Sequence, residues 1–447
     1  MSFVFFALII ASGLTALTIL AVAFQKNPML VILTAGVEIF IAWEIPREPA
    51  LGSAIGFNLY ATDVISIIML VVALINYRQL AANFGPLLVP WIAFGLVLAV
   101  SLLSGAAVFG LGTATNEARS FLQLYAGLTW AASVNWDKNG GAYALYRPAL
   151  ILGWSLTLLA CFHAAVYGIN GADSVVNLDG TESVTGRVLV SGQAMALTLC
   201  AGSVVAWWAA KRTRVAAFSA SIFGVVVVIS QHRSVWIAAL VGIASVFVFG
   251  PWKSKIRMLA VMSIASIAGI LLAGSGALNS ILVQFTQALS DDRSLNARTF
   301  DWPQLIDQSF RLGPGAVLVG QPMGSGYVRT EPNGLIATFM PHNWYVSIFL
   351  RTGILGSIFF WLPFIWSLFL AMRNRKHLHI LFTVVVVLTY SGAYSMESYL
   401  YFFIGWAVIL AIQKRSQGTN TTEIERTPVD KSLRAIRHAD LRPAGGQ

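Results

Sequence analysis

The chain has 447 residues, 57% of them hydrophobic and 11% charged, with a mean hydropathy of +0.73. Soluble domains carry about 25% charged residues, so this composition argues against a water-soluble enzyme. The net charge of +10 comes without a compact basic groove or an aromatic platform, which argues against nucleic-acid binding.

Apolar runs of about 20 residues, long enough to cross a hydrocarbon core of about 30 Å, recur from the start of the chain to position 412. They fall near 3–24, 28–43, 59–75, 87–110, 118–134, 149–168, 188–210, 215–230, 235–250, 258–274, 344–371, 380–395 and 399–412. The expected fold is an all-α polytopic transmembrane bundle of about 12–14 spans. No basic residue precedes the first run and no small-residue cleavage site follows it, so it reads as a retained span and not as a signal peptide. The second and third runs are short and contain Glu38 and Asp63, and the last two could form one broken segment around Ser395–Ser398. The expected organisation is ten spans over 1–274, an outer loop domain over 275–343, further spans over 344–412, and a polar tail over 413–447 that reads as disordered. Cys161 and Cys200 both lie in apolar runs and give neither a disulfide framework nor a metal-ligand spacing.

Twenty of the 29 basic residues fall in alternate loops and in the tail, which assigns that side to the cytoplasm. The other nine, Arg47, Arg119, Arg187, Arg233, Arg293, Arg298, Arg311, Arg329 and Arg351, are all arginine. Guanidinium forks bind phosphate oxygens in a bidentate manner, although pairing with neighbouring acids is an equally ordinary use. The longest outer segment, Ser275–Pro341, has 67 residues. Its Leu278, Ile281, Leu282, Phe285 and Leu289 share one helical face, and Phe300, Leu305, Ile306 and Phe310 share another. A glycine-rich piece follows, ending in Gly324-Ser325-Gly326. Two amphipathic helices and an ordered turn, capping the bundle, are therefore expected.

Charged residues at span ends need partners or a solvated cavity, and so mark candidate sites. Arg187 opens the span at 188. His232 and Arg233 occupy a tight turn between two spans, Ser230-Gln231-His232-Arg233-Ser234-Val235-Trp236. Arg298 lies in Asn296-Ala297-Arg298-Thr299-Phe300-Asp301-Trp302, and His342 in Pro341-His342-Asn343-Trp344-Tyr345. Pro341 suits a helix start, which would set His342 at a helix N-terminus and, with Tyr345, Phe349 and Gly353, on one face. A histidine there would be kept neutral and able to accept a proton; a structural interfacial histidine is the alternative. His163 reads as a core residue, and His377, His379 and His438 lie on the cytoplasmic side. Asp291-Asp292 is a weak metal-binding pair and reads as loop surface.

These residues resemble the O-antigen ligase and Wzy-type polysaccharide polymerase superfamily. The resemblance rests on residues 230–236, the Arg298 segment, Gly324-Ser325-Gly326, and His342-Asn343 followed by Gly353 and Gly356. It implies a GT-C-like glycosyltransferase of the bacterial inner membrane, with its active site facing the periplasm and its tail in the cytoplasm. Such an enzyme moves a glycan en bloc from undecaprenyl pyrophosphate to a lipid A core sugar, as a ligase does, or to a lipid-linked repeat unit, as a polymerase does. It uses no nucleotide sugar, cofactor or metal. The resemblance assigns His342 as the base that activates the acceptor hydroxyl and Arg233 and Arg298 as pyrophosphate ligands, with Arg187 a weaker match. His232, Asn343 and Tyr345 are expected to support them. Polysaccharide-assembly and flippase proteins are the implied partners. A transporter or flippase of lipid-linked sugars is the alternative class, but it predicts internal repeats with paired broken helices. The 67-residue loop has no counterpart in the first half of the chain.

Overall fold

The computed structural model describes residues 3–41, 50–54, 57–167, 174–176, 182–184, 188–252, 255–256, 293–330, 336–373, 377–396 and 398–424. Helices dominate: α1 (Phe3–Lys26), α2 (Pro28–Ile41), α3 (Ala61–Ile75), α4 (Tyr77–Phe84), α5 (Leu88–Phe109), α6 (Leu111–Ser133) and α7 (Tyr146–Tyr167) come first. After them come α8 (Ser191–Lys211), α9 (Arg214–Ile229), α10 (Arg233–Phe249), α11 (Arg293–Arg311), α12 (Pro314–Val319), α13 (Trp344–Arg373), α14 (Leu378–Ala393) and α15 (Tyr401–Ile424). Three two-stranded antiparallel hairpins lie between helices: Gly52–Ala54 with Phe57–Leu59, Ser174–Val176 with Glu182–Val184, and Arg329–Thr330 with Ile336–Ala337.

Four helical stretches are long and apolar enough to cross a membrane: Tyr77–Phe109, Gly141–Val166, Ser191–Lys211 and Trp344–Arg373. The pair α1 and α2, bent by 107°, makes a fifth if counted as one broken span. Five further apolar helices have 10–17 residues. Fewer full-length spans therefore stand among the described residues than the apolar runs predict, because local chemistry cuts those runs short. Pro28 cannot donate a helical N–H, and Asn27 Oδ1 instead takes the N–H of Met29 at 3.1 Å, so the chain turns there. Asp63 accepts the N–H of Tyr60 at 3.0 Å and sets the start of α3. The run at 258–274 and the amphipathic stretch at 278–289 lie outside the described residues; the second amphipathic stretch forms part of α11.

The run at 118–134 is the hub of the bundle. From Ala126 to Ser133 every residue of α6 is buried, and α3, α5 and α15 pack around it. Trp91 stacks on Phe84 and Tyr125 and donates from Nε1 to Thr129 Oγ1 at 2.9 Å. The polar N-terminal half of α6 works differently, because buried polar groups need partners. Gln123 donates to Glu38 at 2.8 Å, and Arg119 pairs with Asp63 at 2.8 Å. The two acids inside the early apolar runs are thus interhelical ties.

Polar contacts sort into two ends of the bundle. At one end Asn83 donates to the carbonyls of Ala132 and Val134, and Trp406 donates to that of Gly141. At the other, Ser191 meets Tyr390, and Ser395 donates to the Pro341 carbonyl.

The helix α13 is broken at Gly353, whose φ of 62° is left-handed. A Cβ at Gly353 would strike the backbone of Leu318 and Val319, so α12 seats directly on the break. Beyond α12 the chain enters the bundle: Gln321 N–H donates to the Leu350 carbonyl at 2.7 Å, and Met323 N–H donates to the Ser101 carbonyl of α5 at 3.1 Å. Met323 is fully buried. A Cβ at Gly105 would run into the Met323 backbone. Gly105→Ala is therefore expected to lower stability by about 1–3 kcal/mol, as overpacking against an unyielding neighbour does, read as a drop in thermal midpoint in detergent.

Candidate functional site

Asn343 caps α13: its Oδ1 accepts the N–H of Val346 at 3.1 Å, and its carbonyl accepts from Ser347 Oγ at 3.0 Å. The helix starts at Trp344, so His342 stands just ahead of it and does not share a helical face with Tyr345. The His342 ring lies between two aromatic rings, with centroids 5.9 Å from Phe339 and 4.7 Å from Tyr394. Tyr345 faces elsewhere, stacking on Trp361 at 4.3 Å and donating its hydroxyl to the Leu388 carbonyl at 2.9 Å. Its support is mechanical, fastening the first turn of α13 to α14.

From Tyr394 the contacts continue inward. Tyr394 stacks on Tyr390 at 5.5 Å, and the Tyr390 hydroxyl lies 2.5 Å from Ser191 Oγ at the start of α8. The residues just before α8 are held by two histidines. His163 Nδ1 is 3.0 Å from the Val188 carbonyl, and His232 Nε2 is 2.8 Å from the Leu189 carbonyl. A carbonyl only accepts, so each of these ring nitrogens carries a proton. His232 is buried and serves to dock the turn that carries Arg233 onto the start of α8. That turn is tight: Gln231 adopts φ 57°, and Ser230 Oγ donates to the Val227 carbonyl at 2.7 Å. Arg233 is the first residue of α10 and half-buried. An arginine there adds its charge to the positive end of the helix dipole, an arrangement that favours a bound anion.

Arg187 lies outside the described residues, as does the Asp291-Asp292 pair. Arg298 is in the second turn of α11, and its side chain is also outside them. The helix itself is firmly placed. Asp301 pairs with Arg329 at 2.6 Å, both buried. Gln304 and Gln308 donate to the carbonyls of Thr330 and Val328 at 3.0 and 2.9 Å. Leu305 packs with Tyr327, Val346 and Leu350. The helix bearing Arg298 is thereby strapped to the first turns of α13, beside His342.

Among the described residues, Arg119 pairs with Asp63, Arg311 with Asp307, Arg329 with Asp301 and Arg351 with Glu117. The last pair is the element that sequence reasoning missed. Arg351 has no exposed surface; it donates to Glu117, to Gln321 Oε1 at 3.2 Å, to Ser325 Oγ at 2.9 Å and to the Gly326 carbonyl, and its guanidinium lies 4.2 Å from the Tyr327 ring centroid. Glu117 Oε2 accepts the N–H groups of Gly324 and Gly326 at 2.6 and 3.3 Å. Burial pushes the Tyr327 phenol above its ordinary range, so it stays protonated. The signal available was Glu117 at the head of an otherwise apolar run, together with the Gly324-Ser325-Gly326 turn. Among the described residues no group of three or more His, Cys, Asp or Glu could hold a metal ion.

Breaking such a pair on one side strands a buried charge. Arg351→Met is expected to cost on the order of 3–5 kcal/mol. The double variant E117Q/R351M should recover part of the lost thermal midpoint, and a double variant no more stable than R351M would contradict the stranded-charge account.

No match to a curated protein was found. Residues 217–361, from α9 into α13, match the sequence model of the O-antigen ligase family. That segment, roughly a third of the chain, holds His232, Arg233, Arg298, His342, Asn343, Tyr345 and Arg351, whereas Arg187 and Glu117 lie before it. The match supports, over this segment, the resemblance read from the residues.

Proposed function

We propose that the protein transfers a glycan from undecaprenyl pyrophosphate to an acceptor sugar at the periplasmic face of the bacterial inner membrane, as an O-antigen ligase does, with lipid A core as acceptor. The family match supports a ligase or polymerase type of function. One observation carries the finer reading: His342 and the Arg233 turn belong to a single run of contacts, through Tyr394, Tyr390, Ser191 and the Leu189 carbonyl. That run of contacts supports reading His342 as the base and Arg233 as a phosphate-binding cation of one site.

In the reaction the acceptor oxygen attacks the anomeric carbon and the bond from that carbon to the pyrophosphate oxygen breaks. The acceptor's proton passes to His342. Negative charge grows on the departing pyrophosphate, and the guanidinium groups of Arg233, Arg298 and Arg187 stabilise it. His232 holds Arg233 in register, Asn343 fixes the first turn behind His342, and Tyr345 anchors that turn to α14. The polar tail lies in the cytoplasm, and flippase and assembly proteins supply the lipid-linked donor.

His342→Ala should lower transfer by about 10²–10⁴-fold, the usual contribution of a general base, while leaving donor-lipid binding intact. Arg233→Lys keeps the charge and loses the fork, and should cost about 10–100-fold, the value of a charge-assisted hydrogen bond. Normal transfer by either variant removes that residue from the mechanism. A strain lacking the protein separates the two acceptors. Long chains stranded on undecaprenyl pyrophosphate beside bare lipid A core mark a ligase; loss of long chains with single repeat units still exported marks a polymerase.

A further inference from the structure

We propose that Phe339 is a stacking platform for a pyranose ring of the acceptor glycan; the inference rests on the transfer reading above. Phe339 is 51% exposed, and single exposed apolar residues ordinarily need no explanation. This one is held by a buried ion pair. Arg329, 3% exposed and paired with buried Asp301 at 2.6 Å, donates from Nη1 to the Phe339 carbonyl at 2.7 Å and sets its guanidinium 4.4 Å from the Phe339 ring centroid. Burying such a pair has a large desolvation cost. Here it fixes both the backbone and the ring of a residue that faces out.

The placement explains the use. Phe339 lies 5.9 Å, centroid to centroid, from His342, the group that takes the acceptor's proton. A pyranose has one face rimmed by C–H groups of slight positive charge, which suits the negative face of an aromatic ring. Stacking there leaves the sugar's hydroxyl rim free to turn toward His342. Since Arg329 occupies one side of the ring, the exposed remainder is the surface offered to a ligand. Met340, the next residue, packs on the cluster of Leu305, Tyr327, Val346 and Leu350, which ties the segment carrying Phe339 to α11 and α13.

The test uses the full-length protein in nanodiscs, with an undecaprenyl-pyrophosphate-linked glycan as donor and lipid A core as acceptor. Phe339→Ala should raise the acceptor KM on the order of tenfold, the value of a lost aromatic contact with its buried area, and leave the donor KM unchanged. The Arg329 bond to the residue 339 carbonyl survives this change, so folding is retained. Phe339→Trp should restore the acceptor KM, and Phe339→Leu, which keeps apolar bulk without a flat ring, should not. A wild-type acceptor KM in Phe339→Leu would overturn the proposal in favour of membrane anchoring. A shift confined to the donor KM, or a fall in kcat alone, would overturn it too. His342→Ala run alongside keeps the two readings apart. If that variant still transfers glycan, the transfer reading fails; if it is inactive while Phe339→Ala is normal, only the platform fails.

Discussion

Arg351 is a full charge with no exposed surface, set two residues before the point where α13 breaks. In a low-dielectric interior such a group persists only when its charge is paired and its N–H groups are taken up. Glu117 supplies the charge, and Gln321, Ser325 and Gly326 take up the hydrogen bonds. Each of those three belongs to the glycine-rich stretch of the outer loop. Satisfying Arg351 therefore draws that stretch down among α5, α6 and α13, and Gly353 makes room for it.

The remaining outer elements are arranged from this anchor. Tyr327 leaves the glycine-rich turn beneath the Arg351 guanidinium and packs against Leu305 of α11 and Val346 of α13. Two residues further on, Arg329 ties α11 to the Phe339 carbonyl through Asp301. One buried ion pair thus seats the loop in the bundle, and a second holds the helix carrying Arg298 beside the segment carrying His342. Such pairs contribute more to a unique arrangement than to net stability. For the proposed transfer, in which a proton acceptor and phosphate ligands keep fixed spacing, a unique arrangement is the useful property.

The arginines of the outer face divide along the same line. Arg119, Arg329 and Arg351 are structural, each answering an acid across the fold. Arg233 is placed at the start of a helix, where its charge and the helix dipole have the same sign. That placement works against local helix stability, and under the proposed transfer a bound anion would offset it. Residue type alone does not separate these uses, since a guanidinium fork serves a carboxylate and a phosphate equally well.

Composition and the repeated apolar runs were enough to establish an all-α membrane bundle, because spanning a bilayer demands long apolar helices and little else competes with that pattern. The motifs at 230–236 and 341–345 stand out in the sequence because charge at a span end needs a partner or a solvated cavity, and their role in transfer is a proposal. Span lengths were less so: a run of hydrophobic letters does not show where Pro28, Asn27 or Asp63 will stop a helix, nor that α6 is buried among other helices. The run at 344–371 begins where α13 does, whereas Pro341 suggested a start three residues earlier; Asn343 caps the helix instead through its side-chain oxygen. Which acid answers which arginine could not be read at all. Glu117 and Arg351 stand 234 residues apart, and Asp301 and Arg329 stand 28 apart. The first pair meets where the head of α6 touches the start of α13, Phe121 stacking on Trp344 at 4.8 Å, and no local rule in the sequence encodes it.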